Sequence, residues 1–166
     1  MANNHTKSVA LGGVTAALAV VIMCLGGIIP VATYVCPALC AILLSVILRY
    51  VGCRLAWAWY VAVALLSVLM GPDKEAAAVF VFLGYYPIVK PWIDRRRLPV
   101  LWKLALFNAS VAALYAMLIY LFRMEQVIIE FREMGTVLTA VTLLLGNGVL
   151  FLLDFLLGRM PLMRKR

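Results

Sequence analysis

The chain has 166 residues, 66% of them hydrophobic and 13% charged, with a formal net charge of +8. With a mean hydropathy of +1.06, this composition excludes a water-soluble globular domain, whose core could not absorb so much apolar surface. The charges gather in short clusters between apolar runs, the pattern of a single helical membrane domain spanning residues 1–166.

The polar N-terminal tail, which holds His5, leads into a first apolar run from about Ser8 to Ile29, ended by Gly26, Gly27 and Pro30. That run exceeds the h-region of a secretory signal and lacks a small-residue cleavage site, so it reads as a retained membrane helix. Its segment ALGGVTAALA pairs Gly12 with Ala16 and Gly13 with Ala17. Small residues one turn apart let a second helix approach closely, whether from this chain or from a partner.

The second run, Val31 to Leu48, stops before Gly52 and carries Cys36 and Cys40 one turn apart. With Cys24 and Cys53 they lack the paired spacing of a metal or redox site, and no nearby His or carboxylate completes a ligand set, so they read as small packing residues. The third and fourth runs, Leu55 to Met70 and Ala76 to Val89, are separated by Gly71, Pro72, Asp73 and Glu75, with Pro91 and Pro99 beyond. Both are short of the roughly 20 residues a bilayer core demands, and are expected to borrow flanking residues or thin the bilayer locally. Asp73 and Glu75, at i and i+2, do not face each other on a helix and read first as a solvated turn and helix start. Glu75 would also stand at the N-terminal end of the fourth helix, where the dipole favours an anion.

The fifth run, Leu101 to Phe122, holds Asn108, Ser110 and Tyr115, and the sixth, Gly135 to Leu157, holds Thr139, Thr142, Asn147 and Asp154. A carboxylate at mid-bilayer costs about 2.5 to 3.5 kcal/mol on insertion scales, so Asp154 calls for a partner. Pairing with the basic face near Arg159, local or between helices, supplies one. Each of the other polar residues is accounted for by interhelical hydrogen bonding. Taken together with Tyr85 and Tyr86, they also suggest a ligand cavity among helices four to six.

Orientation follows from the basic residues. Lys7, Arg49, Arg54, Lys90, Arg95, Arg96, Arg97, Lys103, Arg159, Arg164, Lys165 and Arg166 fall on one side of the six-span arrangement, and Lys74, Arg123 and Arg132 on the other. The positive-inside rule then places both termini in the cytoplasm of a cell membrane. The net charge reflects this topology and attraction to anionic lipid, not a nucleic-acid site.

Catalytic chemistry is sparse. His5 lies outside the spans, so no intramembrane His dyad can form, and there is no HExxH, GxSxG or phosphate-binding glycine loop. The expectation is a chain that is not an enzyme, has no cofactor, and takes any transport energy from partners or a gradient.

With six spans, cytoplasmic termini, this length, ALGGVTAALAVV on the first helix, PVATYVCPAL after it and GNGVLFLLD on the last, the chain resembles the substrate-binding S components of energy-coupling factor transporters. These are bacterial six-helix subunits that capture vitamins or related micronutrients. The resemblance implies that the small-residue face with Gly12, Gly13, Ala16 and Ala17 docks onto a transmembrane coupling subunit driven by two ATPases. It implies an outward cavity near Tyr34, Glu75, Tyr115, Thr139, Thr142 and Asn147, and it leaves the substrate open. Two other classes fit the same residues. A membrane scaffold similar to the rod-shape proteins needs the packing surface without a cavity; an intramembrane enzyme needs a reactive group that the motifs do not supply.

Overall fold

In a computed structural model, residues 2–26, 32–120, 129 and 135–159 are described. They form seven helices: α1 (Ala2–Gly26), α2 (Ala32–Tyr50), α3 (Cys53–Met70), α4 (Lys74–Leu83), α5 (Tyr86–Ile93), α6 (Pro99–Tyr120) and α7 (Gly135–Arg159). Six stretches are long and apolar enough to cross a bilayer, with α4 and α5 together forming the fourth, Lys74–Ile93. The described residues are thus all-helical, with the six spans a multi-pass membrane protein needs. The two short runs do borrow flanking residues: the third span begins at Cys53 and the fourth reaches 20 residues. The ends expected at 27–29 and 121–122 lie outside the described residues.

The fourth span is interrupted, which the run Ala76 to Val89 did not suggest. The Gly84 N–H donates to the Phe80 carbonyl at 2.7 Å, and α5 restarts as the Ile88 and Val89 N–H groups donate to the Tyr85 carbonyl. A Cβ at Gly84 would lie 2.5 Å from the Phe80 carbonyl oxygen and 2.7 Å from its ring. Only glycine fits so close an approach. Between α2 and α3 the chain turns at Gly52, whose φ of 102° lies in the region glycine adopts at little cost.

Contacts gather in two units, one up to Trp92 and one from Ile93. In the first, α1 packs on α2 and α3, and both α2 and α3 pack on α4. Helical spacing sets the core: Ala19 and Met23 from α1, Cys36, Cys40, Leu44 and Ile47 from α2, Ala56, Trp59, Tyr60 and Val63 from α3, and Ala76 and Phe80 from α4. In lipid there is little hydrophobic force between helices, so these alanines and cysteines matter because they let backbones close up. Cys36 and Cys40 are buried here as packing residues.

A few polar contacts pin the register. The Trp59 indole N–H donates to Thr15 Oγ1 at 3.1 Å, the Cys40 thiol lies 3.5 Å from the Ala19 carbonyl, and the Tyr60 hydroxyl donates to the Val81 carbonyl. Outward side chains remain large and apolar, as with Val14 and Leu69, 70% and 75% exposed. Such a surface suits acyl chains and not water.

In the second unit α6 packs on α7. A Cβ on Gly146 would come within 3.3 Å of the Phe107 ring, so the glycine admits the ring closely. Most of α7 presents apolar side chains outward, Leu144 being 74% exposed.

Candidate functional site

One cluster of polar side chains of the first unit lies where α2 and α4 begin. Pro72 follows the end of α3, and Asp73 then caps α4: its Oδ1 accepts from the backbone N–H groups of Glu75 at 2.9 Å and Ala76 at 3.0 Å. A cap of this kind is worth about 1 kcal/mol. The other oxygen, Oδ2, accepts from the Thr33 hydroxyl at 2.7 Å, tying the α2 start to the α4 start. Lys74 turns back to α3, its Nζ donating to the Val68 and Gly71 carbonyls at 2.7 and 3.0 Å. It thereby satisfies carbonyls that the end of α3 leaves open, where a cation is favoured.

Glu75 is left to face Tyr34, whose hydroxyl donates to Oε1 at 2.8 Å. Among the described residues no cation pairs with this carboxylate. Tyr34 is 59% exposed, so the pair forms an accessible polar rim on an apolar bundle. Such a rim can accept and donate hydrogen bonds to a small polar molecule. On α3, Ser67 is fully buried and its hydroxyl has no partner among the described residues.

Tyr34 and Glu75, two of the six residues expected at a cavity, are therefore in contact. Tyr115, Thr139, Thr142 and Asn147 belong to the second unit. There Asn147 Nδ2 donates to the Leu143 carbonyl at 2.8 Å and to Asn108 Oδ1 at 3.3 Å, while its own Oδ1 is buried without a partner among the described residues. Thr139 donates to the Gly135 carbonyl of its own helix at 2.9 Å. Tyr115 is half-buried on α6 and Thr142 exposed on α7. A shallow apolar depression of about 390 Å³ opens at the start of α6, lined by Leu98, Pro99, Val100, Leu101 and Leu104. None of the six expected residues lines it.

Asp154 does pair between helices. Lys103 Nζ lies 2.9 Å from its Oδ2 and 2.6 Å from Asp94 Oδ1, so one ammonium of α6 bridges two carboxylates. The lysine side chain is only 9% exposed. Sequence reasoning counted Lys103 as a topological flank and missed its partners, although a lysine two residues inside an apolar run and an acid near the end of another already signal such a pair. It missed Thr33 altogether.

The small-residue face of α1 divides. Gly12 is buried, a Cβ there meeting Leu55 Cδ2 at 3.5 Å, and Ala16 packs against the core of its own unit. Gly13 and Ala17 are exposed, with nothing within 4 Å of a Cβ at Gly13. The first pair holds the bundle together; the second is open to a partner.

No family model matches this chain, and no curated protein and no solved structure matches it.

Proposed function

We propose that the chain is the membrane-embedded substrate-binding subunit of an energy-coupling factor type transporter, taking up a vitamin or related micronutrient across the plasma membrane. The observation that carries this reading is the Tyr34–Glu75 contact, a polar rim joining the starts of α2 and α4 at 2.8 Å on an otherwise apolar unit. The basic-residue count supports an orientation in which this rim faces outward and both termini are cytoplasmic. The exposed Gly13 and Ala17 on α1 supply a surface on which a transmembrane coupling subunit docks closely. Two ATPases bound to that subunit provide the energy.

Affinity-tagged protein extracted from its native membrane in mild detergent should bring down a membrane subunit and two ATPases. G13L with A17L adds bulk to the outward face, so the complex should fall apart while the isolated subunit keeps its thermal stability and its ligand. G12L with A16L, on the inward face, should lose stability and ligand together. Full assembly of the G13L/A17L variant, or a pull-down holding cytoskeletal proteins in place of ATPases, would replace this reading with that of a scaffold.

A further inference from the structure

The turn after α5 and the first turns of α6 carry features that neither helix packing nor substrate capture uses. Arg95, Arg96 and Arg97 are consecutive and exposed. Asp94 is the sole acid between Glu75 and Glu125, one carboxylate beside three arginines, and Lys103 also lies 2.6 Å from it. The Arg96 guanidinium lies 5.0 Å from the centre of the Trp102 ring, an arrangement that holds the cation over the aromatic face. Directly beyond the arginines comes the apolar depression lined by Leu98, Pro99, Val100, Leu101 and Leu104. Leu98 and Leu101 are 62% and 61% exposed there. The N-terminus of α6 lies at the same place and adds positive potential.

We infer that this corner of α6 is a binding site for one anionic glycerophospholipid, its phosphate held by Arg95 and Arg97 and an acyl chain laid into the adjoining depression. Charge and shape select the same molecule. Arginine clusters beside a membrane span attract anionic headgroups electrostatically, and the apolar depression distinguishes a lipid from a free anion. Trp102, with an apolar ring and an N–H, belongs to the residue type that settles at headgroup depth. Arg96 is held over the Trp102 ring, which leaves the phosphate to its two neighbours.

Native mass spectrometry of the full chain in detergent tests this, with dioleoyl phosphatidylglycerol, dioleoyl phosphatidylcholine and chain-free glycerophosphoglycerol added separately. The phosphatidylglycerol adduct should dominate. R95Q with R97Q should weaken it about 30-fold, the effect of two arginines at an anionic surface. K7Q with R54Q removes equal charge from exposed positions elsewhere and should leave the adduct unchanged. Equal binding of phosphatidylcholine would overturn the site, and so would an equal loss in K7Q/R54Q, which would mean diffuse attraction. Binding of glycerophosphoglycerol as tight as that of the lipid would reassign it to a free anion. Should R95Q/R97Q fold poorly, V100S with L101S keeps every charge and tests the depression: the phosphatidylglycerol adduct should weaken, and an unchanged adduct would overturn the acyl-chain assignment.

Discussion

In the unit up to Trp92, helices close on one another through Ala19, Cys36, Cys40, Ala56 and Ala76, and hydrogen bonds such as Trp59–Thr15 and Cys40–Ala19 fix their register. In the unit from Ile93, the contacts between α6 and α7 include an ammonium shared by two carboxylates and an asparagine pair. The contrast shows two ways of holding helices where the hydrophobic effect contributes little. Shape matching sums many weak dispersion contacts and fails when bulk is added. Buried charge contributes few contacts, each costly to leave half made.

The largest expected effect is on the charged side of this contrast. Lys103→Met takes the ammonium from Asp94 and Asp154 together; because the carboxylates are 41% and 18% exposed, the loss falls at or below the low end of the buried-pair range, about 2 to 3 kcal/mol. Thermal unfolding in detergent should show the loss, and adding Asp154→Leu should recover much of it, because the less exposed of the two carboxylates is then no longer stranded and Asp94 keeps access to water. If K103M alone unfolds like the wild type, the triad is not what ties α6 to α7.

Gly84→Val tests the packed side. A branched side chain would be driven into the Phe80 ring and carbonyl, which a Cβ alone would already approach to 2.5 Å. Overpacking of this kind costs about 1 to 3 kcal/mol. Asn147→Leu should be the mildest change. It removes the 3.3 Å contact to Asn108 but also a buried oxygen that has no partner among the described residues, so the net loss should be about 0.6 kcal/mol or less. A loss as large as that of K103M would mean that the asparagine pair, and not the ion triad, dominates the second unit.

Much of this arrangement was legible in the sequence. Run length gave the six spans, Gly71 and Pro72 marked the stop of α3, and Asp73 with Glu75 marked the turn and helix start at which Asp73 caps α4. The break at Gly84 was hidden because VFVFLGYYPIV is apolar on either side of it, and the Phe80 ring over the glycine is a tertiary contact. The division of α1 was hidden for a related reason. Its helix is apolar on all faces, so no amphipathic pattern distinguishes Gly12, which meets Leu55, from Gly13, which meets nothing. Tyr34 and Glu75 were both expected at a cavity, yet their contact joins residues 41 apart in sequence and no spacing rule reports it. Lys103 was visible only as a charge, since its triad draws on the α5–α6 turn, α6 and α7.

Capture of a small molecule is decided by what the purified chain carries. Protein extracted in mild detergent, washed, and denatured in organic solvent should release a stoichiometric small molecule detectable by mass spectrometry. Tyr34→Phe with Glu75→Gln removes the hydroxyl and the charge of the rim while leaving the Asp73 cap intact, so that variant should release far less and melt at nearly the wild-type temperature. A wild-type chain that releases nothing beyond lipid and detergent, or a variant that retains the full complement of ligand, would contradict a substrate-binding role for this rim.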